Sequence, residues 1–274
     1  MKYSISNIAW NSVEDEAIIN LLPSYGFTGV EIAPTKINEK PLEITKDDAR
    51  EYKKYWLSKN IEVVAMQSLL YGRPDLTIFG DKKTRKETLE YLIKIIELGV
   101  QIGVKAFVFG SPKNRLVGNT PKDTINEIAL SFFGKLGEVA NSHGAVFCIE
   151  PNPRDYGCDY IINTNEAIEL VKNVNQRGFG LHLDAAAMTL NSEDIPLVLE
   201  SAIDYTNHFH ISEPYLEPIG SSGKVNHSSI AAVLKKLNYS KYISIEMKQQ
   251  SQDSSNKSIV AKSLDFVSKT YNLI

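Results

Sequence analysis

The chain has 274 residues, 43% of them hydrophobic, enough to bury a large core as one α/β barrel or as two smaller domains. Thirty Lys and Arg against thirty-three Asp and Glu leave a formal charge of −3, which supplies no broad field for a phosphate backbone, so nucleic acid is not an expected partner. Nothing in the composition indicates disorder or a fibre, and no apolar run is long enough to span a bilayer.

The N-terminal stretch MKYSISNIAWNSVEDE has one lysine and a short apolar run broken by Ser and Asn, which does not make a signal peptide. Short β-branched or aromatic runs then alternate with stretches of helical periodicity, the pattern of repeated βα units. The predicted strands are Tyr3 to Ala9, Gly29 to Ile32, Glu62 to Gln67, Ala106 to Phe109, Val146 to Glu150, Gly180 to Asp184, Thr206 to Ile211 and Tyr242 to Glu246. Between them, Ser12 with Asp15, Thr120 before Pro121, and Thr164 read as helix N-caps. Long amphipathic helices are predicted at about Lys82 to Ile102 and Lys122 to Ser142, and Gly26, Gly103 and Gly144 sit where a left-handed helix end is wanted. Eight cycles with no compositional break argue for a single closed (β/α)8 TIM barrel over residues 1–274. A doubly wound open sheet would also alternate, but the first βα turn lacks the glycine-rich phosphate fingerprint. Cys148 lies in an apolar run and Cys158 in a loop, which makes a disulfide framework improbable and a reducing, cytoplasmic setting the simplest expectation.

In such a barrel the active site forms at the C-terminal ends of the strands, and the longest connections fall there: SLLYGRPDLTIFGD, GSPKNRLVGNT, PNPRDYGCDYIIN and SEPYLEPIGSSGKVNH after strands three, four, five and seven. Four side chains reach the same rim. Glu150 ends strand five, Asp184 ends strand six, His210 stands near the end of strand seven and Glu246 closes strand eight. Three carboxylates brought together call for a cation, since unpaired like charges raise one another's pKa. Oxygen-rich donors with one imidazole suit Mn²⁺ or Mg²⁺, with Co²⁺ also compatible, better than Zn²⁺. In TNHFHISEP, strand alternation puts His208 and His210 on one face, His210 nearer the rim.

The segments CIEPNP, GLHLDAAAM, HFHISEP and YISIEMK resemble the corresponding strands of the sugar phosphate isomerase/epimerase superfamily, the xylose isomerase-like TIM barrels that include ketose 3-epimerases. The similarity runs from GVEIAP at strand two to the final helix. It implies that Glu150, Asp184, His210 and Glu246 bind one divalent metal. It further implies that Glu150 and Glu246 exchange protons with a carbohydrate through an enediolate, giving epimerisation or isomerisation of a sugar or sugar phosphate. His208 and His182 are expected deeper in the barrel as hydrogen-bonded core residues, with a substrate contact the alternative for His182. Glu31, in GVEIAP, matches an acid common on strand two, touching substrate or an inner polar network. Trp10, Gln67 and Tyr71 are candidates to line the pocket; Lys113 and Arg115 could bind a substrate anion or sit in a solvated loop, and Glu213 reads as a substrate contact or a loop carboxylate. Gly220 to Lys224 reads as a phosphate loop or a solvated one.

The chain departs from the ketose 3-epimerases where they usually grip the sugar. Ala187 replaces a histidine three residues after Asp184, and PYLEP after His210 contains no arginine, so a different or modified sugar is expected. The alternatives are an inosose-type keto-polyol dehydratase on the same metal site and a non-catalytic sugar-binding barrel. An apurinic-site endonuclease shares the barrel but needs further histidines from early strands, and the first histidine here is His143. Barrels of this kind often pair, which leaves a homodimer open.

Overall fold

The computed structural model of the protein describes residues 1–250 and 255–271. Eight parallel strands close on themselves in sequence order: β1 Lys2–Ser6, β2 Gly29–Ile32, β3 Glu62–Met66, β4 Ala106–Phe109, β5 Val146–Ile149, β6 Phe179–Asp184, β7 Thr206–Ser212 and β8 Tyr242–Glu246. Helices fill the crossovers: α1 Asp15–Ile19, α2 Lys46–Ser58, α3 Lys82–Ile102, α4 Lys122–Ser142, α5 Thr164–Val174, the pair α6 Ala185–Leu190 and α7 Ile195–Ala202, α8 His227–Lys236, and α9 Lys257–Thr270 after the last strand. This is the closed (β/α)8 barrel that the alternation predicts.

Apolar packing lies between the ring and its helices. Phe133 of α4 stacks on Phe179 at 5.1 Å between ring centres and meets Phe109 edge-on, and Phe109 packs at 5.5 Å on Phe147. Burying each such ring stabilises the fold by about 1.5–3 kcal/mol. Helix α3 starts on Asp81, whose side chain accepts from the Thr84 amide, and stops at Gly103, where φ is 118°. Gly26 and Gly144 likewise take positive φ. No helix among the described residues is long and apolar enough to cross a membrane.

Several predicted boundaries shift. β1 ends at Ser6 rather than Ala9, because the Asn7 side chain accepts from the Ala33 amide and turns the chain into a short 3-10 segment, Asn7–Ala9. The caps also move by one residue: Asn11 caps the segment that Ser12 begins, Asn163 rather than Thr164 caps α5, and Pro121 rather than Thr120 stands at the cap of α4. Asn and Ser or Thr cap comparably, so adjacent capping residues leave the choice to the tertiary entry angle.

Two irregularities in strand pairing matter for the site. The β2–β3 register shifts between Val30 and Glu31, and the β6–β7 register between Leu181 and His182. Such shifts re-aim side chains. Beyond them, Asp184 pairs with His210 and His182 with His208, and across β7–β8 Ser212 pairs with Glu246.

Candidate active site

Strand β7 builds the centre. His208 and His210 turn into the barrel while Phe209 between them joins the apolar layer, and all three are buried. The Nε2 of His210 lies 2.9 and 3.1 Å from the two oxygens of Glu31. Burial opposes ionisation of Glu31, but His210 and His208 beside it hold its pKa well below the usual carboxylate range. Glu31 is therefore an acceptor, and His210 must donate through Nε2. Its Nδ1 then faces Glu246 Oε2 at 3.2 Å and Asp184 Oδ2 at 3.9 Å.

An imidazole lone pair set against two carboxylates is repulsive unless a proton or a cation lies between them. Burial would lower the pKa of His210, but Glu31 and then Glu246 outweigh it and hold it well above the usual histidine value. Asp184 is pushed up to about 6, by burial first and then by Glu246. Glu150 is pushed up to about 8, by burial, then Glu246, then Asp184. Glu150 and Asp184 are thus hindered from ionising beside a ring nitrogen of His210 that has no aligned hydrogen-bond partner. The ligand atoms of Asp184, His210 and Glu246 lie within 4.8 Å of one another, and so do those of Glu150, His182 and His210. The four residues Glu150, Asp184, His210 and Glu246 could hold a divalent cation, which would relieve the repulsion that a proton otherwise relieves.

Neighbouring groups fix these side chains. Asp184 accepts from the Ala187 amide at 2.6 Å, capping α6, and from Ser212 Oγ at 2.5 Å. Gly110, just past β4, leaves room for Glu150: a Cβ there would run into Glu150 Oε2. A cavity of about 370 Å³ opens over the strand ends, lined by Glu150, Glu246, Gln67, Gly110, Tyr156 and Tyr215 among others. Ser68, Ser111, Tyr215 and Leu216 line the same cavity and all have left-handed backbones, with φ of 55, 40, 63 and 60°. Left-handed conformations cost a non-glycine residue roughly 1–3 kcal/mol, and here they cluster around one opening.

The remaining candidates disperse. Gln67 lines the cavity, its Nε2 donating to Ser6 Oγ. Trp10 is fully buried and donates from Nε1 to Asp15. Glu31 stands behind His210 rather than in the cavity, its reach set by the register shift before it. Arg115 points inward, is 0% exposed, and donates to the carbonyls of Glu150 at 2.7 Å and of Phe109 and Ile161, with Cys158 Sγ beside it. Lys113 is exposed on the same loop. Glu213 is buried and accepts from the Gly220 amide, Ser222 Oγ and His227 Nε2, so it anchors the Gly220 to Lys224 loop. Tyr71 is 71% exposed and lines a neighbouring lobe.

The inner histidines differ from satisfied core residues. His182 is buried with neither ring nitrogen hydrogen-bonded among the described residues, its ring edge-on to His210 at 4.0 Å. Burial first, then His210 and His208, hold its pKa well below the usual value, so it is neutral. His208 Nε2 lies 3.4 Å from Glu31 Oε1, too poorly aligned for a hydrogen bond. Glu31 spends its best lone-pair directions on His210. Sequence reasoning missed Gly110, Ser212, Tyr156 and Tyr215. Strand alternation from His208 through His210 reaches Ser212, so that residue had a signal; the two tyrosines had none.

Comparison with known proteins follows the same outline. Residues 19–270 match a family model described as xylose isomerase-like TIM barrel. No curated protein matches the chain by sequence. Among solved structures, a D-psicose 3-epimerase determined in the presence of D-fructose superposes with a TM-score of 0.81 at 16% identity, covering 99% of each chain. A 3-keto-D-glucoside 4-epimerase from E. coli, in its apo form, gives 0.77 at 19% identity, over 98% of this chain and 99% of the other. An IOLI protein with a bound zinc atom gives 0.76 at 18% identity, over 100% and 99%.

Proposed function

Because the chain belongs to the xylose isomerase-like TIM barrel family, we propose that it is a divalent-metal-dependent isomerase or epimerase of a small carbohydrate, in which Glu150 and Glu246 transfer protons through an enediolate. Glu150, Asp184, His210 and Glu246 hold the ion, with Glu31 orienting His210 from behind. A bound Mn²⁺ or Mg²⁺ would supply Lewis acidity toward the sugar, which would make the proton beside its carbonyl easier to remove.

One observation carries the reading: of the four residues, the two glutamates are the ones that line the cavity, from the ends of β5 and β8. Asp184 is spent on the Ala187 amide and Ser212, and His210 on Glu31. Without an ion, burial, then Glu246 and Asp184, push Glu150 up to about 8; a bound cation would offset that crowding and leave a carboxylate able to take a proton. A proton taken by one glutamate and returned by the other to the opposite face epimerises the carbon; returned to the neighbouring carbon, it isomerises the sugar. Tyr156 and Tyr215, packed edge-on at 5.8 Å, wall the opening and limit water.

The substrate is a carbohydrate other than a plain free ketose, since Ala187 and the 214–218 segment lack the family's gripping histidine and arginine. The solved neighbour that is a 3-keto-D-glucoside 4-epimerase makes keto-glycosides the first class to test. Both cysteines are buried and unpaired, which suits a reducing, cytoplasmic setting.

The test is proton NMR on sugars recovered after incubation in D₂O with Mg²⁺- or Mn²⁺-loaded protein, across free ketoses, sugar phosphates, inososes and keto-glycosides. The expected result is loss of one carbon-bound proton signal that chelation abolishes. Retention of every signal by protein with confirmed metal would refute the proposal.

A further inference from the structure

The cavity over the glutamates does not stand alone. A second lobe of about 970 Å³ adjoins it, and Ser68 and Leu216 line both. Ligand pockets span roughly 300–1,000 Å³, so the inner lobe sits at the small end and the outer lobe at the large end of that range. A single sugar ring held over Glu150 and Glu246 would leave the outer lobe empty.

The walls of the outer lobe specify what could fill it. Ile8, Ala33, Leu42, Tyr71, Tyr91 and Leu216 give it apolar surfaces, with Tyr71 71% and Leu42 43% exposed at its mouth. Its cations are already engaged: Lys40 pairs with Glu43 at 3.0 Å, Arg73 with Asp75 at 2.7 Å, Lys248 with Glu217 at 3.2 Å, and Lys36 donates to the Trp10 carbonyl at 2.7 Å. Glu39 adds a further negative charge to the lining. Such a surface favours a neutral ring with an apolar face, stacked on tyrosine and leucine, over a phosphate or a carboxylate.

Resting on the proton-transfer reading above, we propose that the outer lobe is a subsite for a second, neutral ring joined glycosidically to the reacting keto-sugar, so that the substrate is a keto-glycoside. Binding energy gained on a remote ring can position the reacting one. That accounts for the absence of gripping residues at Ala187 and across 214–218. The backbone between the lobes fits the same role: Tyr215 and Leu216 are consecutive left-handed residues, held by the Tyr215 amide on the Tyr156 hydroxyl at 3.1 Å and by the Lys248 amide on the Leu216 carbonyl at 2.9 Å. They set a divider over which a two-ring molecule would lie.

The experiment compares 3-ketoglucose, its methyl glycoside, its phenyl glycoside and the corresponding keto-disaccharide on metal-loaded wild-type protein, by proton exchange for kcat/KM and by calorimetry for affinity. The methyl glycoside controls for the blocked anomeric carbon. The expected result is a preference of about tenfold or more, in both readouts, for a two-ring molecule over the methyl glycoside. The better of the phenyl and disaccharide arms tells an aryl from a sugar occupant. Tyr71→Ala should shrink that preference without lowering the melting temperature. Equal kcat/KM and equal affinity across the series would overturn the subsite while leaving the proton-transfer function standing. Exchange absent throughout, with two-ring molecules still bound about tenfold more tightly, would uphold the subsite and overturn the function.

Discussion

The ends of β5 to β8 and the ends of β1 to β4 face one opening with opposite chemistry. The later strands deliver Glu150, Asp184, His210 and Glu246, a crowd of groups that cannot all take their ordinary charges side by side. The earlier strands deliver Gln67, Val108, Gly110 and, set back behind His210, Glu31. In the first set His210 Nδ1 lacks an aligned partner and Glu150 and Asp184 are hindered from ionising; supporting groups in the second are paired or apolar. A site built this way separates the residues that exchange protons or bind a cation from those that shape the space around them, and changes on the two sides should fail differently.

The largest expected effect is on the later side. Glu246→Gln should keep the fold and reduce turnover by a factor of ~10² or more, the scale of a positioned acid or base. Steady-state exchange kinetics beside a melting curve check it, and full activity would remove Glu246 from the proton path. On the earlier side, Glu31→Gln should weaken metal binding by about 10–100-fold, the usual cost of losing a carboxylate behind a ligating histidine. A metal titration followed by calorimetry reads this directly, and unchanged affinity would mean that Glu31 does not orient His210.

A smaller effect separates the two sides by pH. Glu150, pushed up to about 8, and His210, held well above its usual value, bind protons in the folded chain that the unfolded chain has released. The stability this contributes is present at low pH and is lost as pH rises through the folded-state values. Glu31 adds no slope above about pH 6.5, being ionised in both states there, and His182, neutral when folded, adds only a small opposing rise that ends about one unit above its unfolded value of about 6.5. Metal-free protein should therefore lose roughly 5 °C between about pH 6.5 and 8.5, one kcal/mol being worth about 2–4 °C in domains of this size. Metal-loaded protein should stay level or gain. Scanning calorimetry with and without chelator decides, and a metal-free melting point that rises with pH would contradict the crowding of charges.

The eight strands were legible because their runs are short, apolar and evenly interrupted. Chain spacing alone was enough to bring Glu150, Asp184, His210 and Glu246 to one rim. Side-chain direction was not legible where a residue could serve two masters. Arg115 looks like an anion binder in GSPKNR, yet its guanidinium turns inward to backbone carbonyls supplied from distant segments. Glu31 reads as a substrate acid or as part of an inner polar network, and Glu213 as a substrate contact or a loop carboxylate; the histidine partners each one meets are brought into range only by tertiary packing. The outer lobe has no motif, because its walls come from the loops after β1, β2, β3, β7 and β8 and from α3, and no local pattern encodes their meeting.

Arg115 also ties pieces of chain that are far apart in sequence. Its guanidinium reaches the end of β4 at Phe109, the end of β5 at Glu150 and the loop beyond at Ile161, while Asp159 accepts from the Val117 and Gly118 amides. The loops after β4 and β5 therefore cannot open independently without stranding a buried cation among unpaired carbonyls. They form one cooperative unit, and amide hydrogens in both should report a common opening free energy, as though the chain between them were continuous.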